Sequence, residues 1–382
     1  MQEKNIKISN GVKILSIGSD KNLFKENSAV RLRIIEYGSL VEELHIIVFS
    51  KKGFSNTQIA GNIFLYPTNS STRWLYPFDA VKIGKKIINQ KEGWLITVQD
   101  PFEAGLAGFL IKRKSGVPLH LQIHGDFLSP YFARESLLNK IRVCLAKFLI
   151  PRAGRIRVVS ERIKNSITSK FRNFEISKIT LLPIFVDVKK TQESLIKINL
   201  HEKYPQFNFI ILMASRLAKV KNIGLAIEAM AEIAQKYPTI GLIIVGEGKE
   251  KNNLKSKIEN LKLDENVFME PWNDDLSSYY KTADLFLLTS NHEGYGMSVV
   301  EAMAAGCPLI MTDVGCAGEL VKNEYNGLVT FLGSREGLVE GIERMIKEPA
   351  LREKLKNNGL ATVKNLPTKE EHLNLYKESW QL

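Results

Sequence analysis

Two glutamates bracket the stretch Glu293-Gly-Tyr-Gly-Met-Ser-Val-Val-Glu301, which decides how the second half of the chain folds. The apolar run Asp284-Leu-Phe-Leu-Leu-Thr-Ser290 before it predicts a buried strand. The run Ala302-Met-Ala-Ala-Gly306 after it predicts a helix that ends at a glycine, and Pro308 follows. The loop therefore lies at the carboxyl end of a strand and leads into a helix. Open α/β sheets bind ligands at such a point, and the unpaired N–H groups of a helix N-terminus favour an anion.

Length and composition narrow the class of protein. The chain has 382 residues, enough for two domains, and 44% of them are hydrophobic, as in globular proteins. Because no run of about 18 or more apolar residues occurs, we expect no transmembrane helix, and residues 1–7 lack the apolar core of a signal peptide. The cysteines Cys144, Cys307 and Cys316 form no CxxC pair, so we expect buried thiols in a reducing compartment rather than a zinc site. These features predict a cytoplasmic protein.

The net charge of +12 is unevenly distributed. Residues 1–190 hold 31 Lys/Arg and 15 Asp/Glu, a net +16, whereas residues 191–382 hold 22 and 26, a net −4. Within 112–172 there are 14 basic residues and three acidic ones. Such a field attracts polyanions or an anionic membrane surface.

Short apolar runs alternate with helical stretches in both halves, which predicts βαβ order and parallel sheets covered on both faces. The predicted strands are 12–18, 45–49, 63–66, 94–98, 119–123 and 156–159, then 207–213, 241–245, 267–269, 284–289 and 308–312. The predicted helices are 28–43, 102–112, 132–149 and 160–171, then 222–236, 249–261, 275–281, 334–347, 350–361 and 368–380. The polar, lysine-rich segment 187–205 is interpreted as a linker.

The predicted fold class is therefore α/β, with two Rossmann-like domains whose parallel sheets face a central cleft. The two domains are predicted to span residues 1–190 and residues 191–366. The segment 367–382 is expected to return as a helix to the N-terminal domain.

Arg216 and Lys221 supply two cations after the first strand of the second domain. Arg216 follows that strand by three residues, and Lys221 lies at the start of the next helix. Arginine offers a planar fork and lysine a mobile point charge, a combination that suits a diphosphate. At ~4 Å and an effective dielectric constant near 20, each contact contributes roughly 4 kcal/mol before desolvation. The alternative is a solvated pair on the surface.

The glutamate loop offers groups for a nucleotide sugar. Glu293 ends a strand, Gly296 permits a tight turn and close approach of a ligand, and Glu301 could accept both hydroxyls of a ribose. The residues expected to open the helix with free N–H groups are Met297, Ser298 and Val299. The alternative for Glu301 is that it merely complements the helix dipole.

The run 268–320 resembles the signature region of glycosyltransferase family 4, the retaining GT-B glycosyltransferases. Glu293 and Glu301 match the E-x7-E pattern of that family, and Ser215-Arg-Leu217 with Lys221-Asn222 resembles its phosphate-binding pair. Val245-Gly-Glu-Gly248 resembles the turn that follows. The similarity extends throughout the C-terminal half.

The N-terminal half is similar to the same family through shorter landmarks. These are Gln99-Asp-Pro-Phe102, His124-Gly125, Val159-Ser-Glu161 and the segment 183–187. The glycine-rich acceptor loop of the family is reduced here to Gly18-Ser-Asp20, so an acceptor contact at Gly18 departs from the family pattern.

The resemblance implies that residues 1–190 bind the acceptor and residues 191–366 the nucleotide sugar, and it implies roles for individual residues. Glu293 would contact hydroxyls of the donor sugar, Glu301 the ribose, and Arg216 and Lys221 the diphosphate. His124 would lie in the acceptor domain near the carbon that is transferred, although a lone histidine before a glycine is often structural. Two further carboxylates in the N-terminal half, Asp100 and Asp126, are candidates for substrate contact.

The chemistry implied by the resemblance is retaining transfer of a sugar from a nucleotide diphosphate. The acceptor would attack the same face of the sugar, and a phosphate oxygen would take its proton. No DxD motif occurs in a suitable place, since Asn273-Asp-Asp275 is interpreted as a helix N-cap. We therefore expect no metal and no cofactor besides the donor substrate.

The basic segment 132–157 carries apolar residues at helical spacing, with Arg134, Lys140, Arg142 and Lys147 between them. One interpretation is a buried helix with a solvated basic face. The other is a face that rests on anionic lipid and receives a lipid-linked acceptor. No motif in the sequence supports binding of nucleic acid.

The sequence thus predicts a retaining, metal-independent glycosyltransferase of polysaccharide biosynthesis that acts on a glycan or a lipid-linked acceptor. The expected location is the cytoplasm, with the inner face of the membrane as a peripheral site. Two alternatives stay open: a sugar-nucleotide epimerase on the same scaffold, and a non-catalytic basic protein that binds membranes or polyanions.

Overall fold

The computed structural model describes residues 11–88, 93–172 and 174–380. The predicted domain ranges 1–190 and 367–382 therefore include a few residues, 1–10 and 381–382 among them, that lie outside the described part. The chain divides into two compact units. Unit 1 comprises the described residues up to Val159, Ile163–Leu182 and those from Glu370 onward, and unit 2 comprises Ser160–Arg162 and Pro183–Lys369.

Unit 1 is built on an eight-stranded sheet in the order β3-β4-β2-β1-β5-β6-β7-β8. Its strands are β1 (Lys13–Gly18), β2 (Glu43–Val48), β3 (Thr57–Ala60), β4 (Ile63–Pro67), β5 (Trp94–Val98), β6 (Leu119–Ile123), β7 (Arg155–Val158) and β8 (Ile179–Leu181). Between residues 11 and 182 its helices are α1 (Ala29–Gly38), α2 (Tyr76–Ile87), α3 (Glu103–Ser115), α4 (Pro130–Arg134), α5 (Leu137–Leu149) and most of α6 (Glu161–Lys170). All pairs of strands are parallel except β3 with β4 at one edge.

Unit 2 is built on a six-stranded parallel sheet in the order β11-β10-β9-β12-β13-β14. Its strands are β9 (Phe209–Ala214), β10 (Ile240–Val245), β11 (Val267–Glu270), β12 (Leu285–Leu288), β13 (Leu309–Thr312) and β14 (Leu328–Thr330). Its helices are α7 (Val188–Glu193), α8 (Leu200–Lys203), α9 (Ile223–Lys236), α10 (Lys251–Asn260), α11 (Leu276–Thr282), α12 (Met297–Ala304), α13 (Arg335–Lys347) and α14 (Pro349–Lys364). The central strands β9, β10, β12 and β13 are buried along their whole length, as expected of parallel strands covered on both faces.

The last described helix, α15 (Lys369–Ser379), packs within unit 1. The Tyr376 ring stacks on Tyr37 with centroids 4.2 Å apart, and the Arg157 guanidinium lies 4.6 Å from the centroid of the Tyr376 ring. The Tyr376 hydroxyl donates to Oε1 of Gln122 at 3.1 Å, and Arg157 donates to the same oxygen at 2.9 Å. Residues distant in sequence therefore complete the polar interior of this unit.

Several elements differ from the sequence-based expectations. The helix predicted over 28–43 ends at Gly38, because β2 begins at Glu43. Helix α2 and the short edge strands β3, β8 and β14 were not predicted, and the expected linker 187–205 contains α7 and α8. Within the described ranges, no helix is long and apolar enough to cross a membrane.

Candidate functional site

The carboxyl ends of β9 and β12 place the predicted nucleotide-binding residues of unit 2 side by side. These two parallel strands are neighbours, and from β9 the chain passes to β10 on one side while β12 lies on the other. The gap between them is thus the switch point of the sheet, where the two loops that follow the strands diverge and leave room for a ligand.

Lys221 and Glu293 meet at this switch point in an ion pair. Their side chains are only 16% and 14% exposed, and the hydroxyl of Ser290 donates to Glu293 Oε1 at 2.7 Å. The backbone holds Lys221 in place, because Thr289 Oγ1 donates to the Lys221 carbonyl at 3.0 Å. Asn222, which follows in the left-handed region (φ 44°), turns the chain into α9. The structure therefore brings together one predicted cation and one predicted carboxylate from segments 72 residues apart.

Glu301 occupies a second buried position, on α12. The Tyr280 hydroxyl donates to its Oε2 at 3.1 Å. Burial raises the pKa of Glu301, and the hydrogen bond from Tyr280 opposes that shift. Among the described residues Glu301 forms no ion pair, so its carboxylate is held by one neutral donor and can accept further hydrogen bonds.

The N-terminus of α12 begins at Gly296, whose φ of 103° only glycine adopts readily. Met297 and Ser298 follow as the first helical residues, as predicted. The expectation of a free N–H group at Val299 was wrong, since it donates to the Gly296 carbonyl at 3.0 Å. A tight first turn of the helix accounts for that bond.

A neighbouring loop, 313–318, supports the glutamate loop and was missed in the sequence. Gly315 (φ 55°) lies so close that a β-carbon there would fall 2.4 Å from the Tyr295 carbonyl oxygen and 2.9 Å from Glu293 Cβ. Arg162, which belongs to unit 2, forms an ion pair with Asp313 and donates from Nε to the Gly315 carbonyl at 3.4 Å. The tight glycine after β13 is the signal in the sequence that could have revealed this loop.

Arg216 is the second predicted cation of this site. It follows β9 by two residues and is exposed. In the part of the chain that the structure describes, no ion pair joins it to Glu293 or Glu301. Arg216 is thus an exposed cation in the loop after β9, at the carboxyl edge of the sheet.

The predicted residues of unit 1 follow three adjacent strands. Gly18 ends β1, Gln99 follows β5, and His124 follows β6. His124 Nε2 lies 3.2 Å from Gln99 Oε1, and a β-carbon at Gly18 would lie 3.0 Å from Gln99 Cγ. Burial, together with the Arg157 charge, lowers the pKa of His124 to about 3. The imidazole is thus neutral near pH 7 and can exchange hydrogen bonds but carries no charge.

The two candidate aspartates of unit 1 lie at the same edge of the sheet. Asp100 Oδ1 accepts from the N–H groups of Phe102 at 2.8 Å and Ala104 at 3.3 Å, and so caps the start of α3. Burial raises the pKa of Asp100 to about 6. Asp126 lies in the turn after β6, where its carbonyl accepts from the Ser129 N–H. Across the described residues, no group of three or more His, Cys, Asp or Glu is arranged to hold a metal ion.

Two α/β units with parallel sheets, one of them with a glutamate loop at its switch point, define the GT-B class of fold. The solved structure of Anabaena HepE in complex with UDP and glucose has this fold, with a TM-score of 0.76 and 22% identity over 96% of this chain and 99% of that one. A sucrose-phosphate synthase from Thermosynechococcus elongatus is similar too, with a TM-score of 0.79 and 17% identity over 96% and 98% of the two chains.

Residues 197–362 match the family described as glycosyl transferases group 1. The UDP-Gal:alpha-D-GlcNAc-diphosphoundecaprenol alpha-1,3-galactosyltransferase of Escherichia coli is 26% identical over 93% of this chain and 91% of its own length. The alpha-monoglucosyldiacylglycerol synthase of Acholeplasma laidlawii is 24% identical over 71% of each chain. Residues 197–362 are thus similar to the group 1 glycosyltransferases, and the chain is an enzyme of the glycosyltransferase class.

Proposed function

We propose that the enzyme transfers a hexosyl group from a nucleoside diphosphate sugar to a glycan or a lipid-linked acceptor, with retention of anomeric configuration and without a metal ion. The observation that carries the proposal is the nearly buried Lys221–Glu293 pair at the switch point of unit 2. A buried carboxylate beside a lysine that still has donors to spare fits a site that holds sugar hydroxyls and a phosphate together.

Each side chain of the site has a separate task in this proposal. Lys221 and Arg216 bind the diphosphate and offset the charge that grows as the bond between the sugar C1 and the phosphate oxygen breaks. Glu293 accepts hydrogen bonds from the sugar, and Glu301 accepts them from the ribose. The acceptor hydroxyl forms the new bond on the same face of the sugar, and its proton passes to the departing diphosphate. The two cations supply the charge that a metal ion supplies elsewhere, which supports a metal-independent reaction.

The donor class is supported by relatives and by chemistry. The galactosyltransferase of Escherichia coli is named for UDP-Gal, and the HepE structure contains UDP. UDP is therefore the first nucleotide to test, with GDP and ADP beside it. The correct nucleotide should raise the melting temperature, because a ligand that binds only the folded state stabilises it.

The proposal is tested by assaying product and nucleotide release together. Free nucleoside diphosphate should appear in proportion to glycosylated acceptor, proton NMR should show the donor's anomeric configuration in the product, and EDTA should leave the rate unchanged. Glu293→Ala should abolish transfer without unfolding the protein. An inverted product would refute retention, a rate restored only by a divalent cation would refute metal independence, and wild-type turnover by Glu293→Ala would refute the site. Epimerised donor formed without acceptor would instead favour an epimerase.

A further inference from the structure

Three helices on one face of unit 1 expose apolar side chains in a way that folding does not explain. Helices α2, α3 and α5 pack side by side, with α3 in the middle. Helix α1 lies on the opposite face, because the β1-to-β2 crossover runs in the other direction along the sheet. We call the solvent-facing side of α2, α3 and α5, with the turn 73–75 before α2, the three-helix face.

Helix α5 exposes a stripe of apolar side chains to solvent, although its inner side also buries Leu149. Leu137, Ile141, Cys144 and Phe148 are spaced by four, three and four residues and form one stripe, which is exposed to solvent. Leu137 is 74% exposed and Ile141 53%, whereas Asn139 on the inner side is buried. An apolar stripe that is exposed on a surface helix is typical of an interaction surface.

The start of α2 continues the apolar surface. Trp74 is 76% exposed, Phe78 52% and Leu75 41%. Between α2 and α5, the outward positions of α3 include the half-buried apolar residues Leu106 and Phe109. Of the 19 large hydrophobic residues exposed in the described part of the chain, seven belong to α2, α5 or the turn before α2, so the exposure is concentrated here.

Basic residues lie beside the apolar ones, mostly toward the C-terminal ends of the same helices. Helices α2, α3 and α5 contain nine Lys/Arg and two Asp/Glu, a net +7. Both acids are already paired, Asp79 with Lys82 and Glu103 with Arg142. At the ends of α2 and α3, a side-chain hydrogen bond with Lys114 lowers the pKa of Lys85, so two cations adjoin there.

We infer that the three-helix face docks onto an anionic lipid bilayer. The side chains at the starts of α2 and α5 enter the boundary between head groups and acyl chains, while the lysines and arginines contact the anionic head groups. A protein partner would leave the excess of positive charge unexplained, whereas an anionic membrane complements both features. The inference deepens the proposed function, because it names the surface on which a lipid-linked acceptor would be met.

The exposed thiol of Cys144 allows this docking to be measured without adding a new cysteine. Cys144 is exposed in the middle of the α5 stripe, while Cys307 and Cys316 are buried and burial raises the pKa of both thiols. A polarity-sensitive thiol dye will therefore label Cys144 selectively. The label is measured on the whole protein with vesicles of phosphatidylglycerol and phosphatidylcholine, and with phosphatidylcholine alone. We expect the emission to shift to the blue and brighten with the anionic vesicles, and the protein to sediment with them.

Matched variants separate docking from folding. Leu137→Asp with Ile141→Asp should lower the vesicle partition coefficient at least about tenfold, whereas Leu32→Asp with Ile35→Asp, two exposed apolar residues of α1, should not.

Charge variants test the electrostatic contribution. Lys140→Gln with Lys147→Gln should lower the partition coefficient roughly 25-fold at low salt. Lys255→Gln with Lys354→Gln, exposed lysines of unit 2, should leave it unchanged.

Nucleotide binding and turnover are measured on the same variants. If a variant of the three-helix face no longer binds vesicles but is still stabilised by UDP, the result supports the inference. If the wild-type protein binds vesicles but does not bind nucleotide, the proposed function is refuted and this inference is not. The inference is overturned if the wild-type protein ignores anionic vesicles, if the α1 variant loses binding equally, or if the dye shifts without lipid as protein concentration rises. The last result would assign the face to a second copy of the chain.

Discussion

Replacing Lys221 by methionine should destabilise unit 2 by about 3 kcal/mol, because it leaves the Glu293 carboxylate without its cation. With side chains 16% and 14% exposed, the pair is close to the buried class, in which loss of one partner costs ~3–5 kcal/mol, and far from the exposed class, worth ~0–1 kcal/mol. We take the lower end because Ser290 still donates to the carboxylate. For a unit of this size the change corresponds to a fall of roughly 6–12 °C in melting temperature.

Arg216→Met is the matched control, since Arg216 is an exposed cation at the same edge of the sheet. Both variants should weaken UDP binding by about 2 kcal/mol, a roughly 30-fold rise in Kd, because each removes a charged donor to the diphosphate. Only Lys221→Met should also destabilise the fold. The two cations would thus share a binding role and differ in their structural one.

Fluorine NMR of protein labelled with 5-fluorotryptophan can follow unit 2 on its own, because Trp272 is in unit 2 and the other three tryptophans are in unit 1. Urea titration of the Trp272 signal gives the free energy of unfolding for each variant. A double variant with Glu293→Gln should recover most of the stability that Lys221→Met loses. If Lys221→Met proved as stable as Arg216→Met, the pair would be a surface contact and the energetic argument would fail.

Glu301, Arg162 and Asp100 can each be tested by a single substitution. UDP affinity should fall as the pH drops toward the raised pKa of Glu301, because a protonated carboxyl accepts fewer hydrogen bonds, and titrations at several pH values should show this for the wild type but not for Glu301→Gln. Arg162→Ala should lower kcat more than it raises KM, since Arg162 positions the loop under Glu293, and Arg162→Lys should restore part of the rate. Asp100→Asn should stabilise unit 1 above about pH 6 by up to roughly 3 kcal/mol in urea unfolding, because the folded pKa of about 6 exceeds the ordinary 3.8.

The stabilisation expected from Asp100→Asn depends on pH. A carboxyl whose pKa is raised in the folded state contributes stability below its unfolded pKa, and that contribution is lost as the pH rises through about 6. The advantage of the asparagine variant should therefore be absent near pH 4 and largest near neutrality. An advantage independent of pH would contradict the assignment. Likewise, a pH-independent affinity in the wild type would rule out Glu301 as the ribose acceptor, and unchanged kinetics in Arg162→Ala would rule out a positioning role.

The central strands of both sheets could be predicted from the sequence, because buried parallel strands are continuous apolar runs. Glu293 was expected to end a strand, but it lies in the loop five residues after β12. Its contact with Lys221 agrees with the expectation that the loops after neighbouring parallel strands meet at one edge of a sheet. The contacts of Tyr280 with Glu301 and of Arg162 with Asp313 could not be predicted. The partners are 21 and 151 residues apart, and only the packing of helices decides which side chains meet. Nor does spacing show that the Val299 N–H is already occupied.

The three-helix face shows a different limit of sequence analysis. The spacing of apolar residues in α5 predicted an apolar stripe. The same spacing does not show whether that stripe faces the sheet or the solvent. The buried residues of α5 are Asn139, Ala146 and Leu149, whereas Leu137, Ile141 and Phe148 are exposed. Helix α2 was not predicted because Pro77 and the exposed aromatic residues at its start interrupt the helical spacing of apolar residues.

The bond between Tyr376 and Gln122 spans 254 positions of the chain, and it has a consequence during biosynthesis. At ~5–20 residues per second, a ribosome reaches Tyr376 roughly 10–50 s after it has made Gln122. The stretch that forms most of unit 2 is translated within that interval. During that interval, the Arg157 guanidinium of the nascent chain lacks its contact with the Tyr376 ring. A chain truncated before α15 would never form this contact.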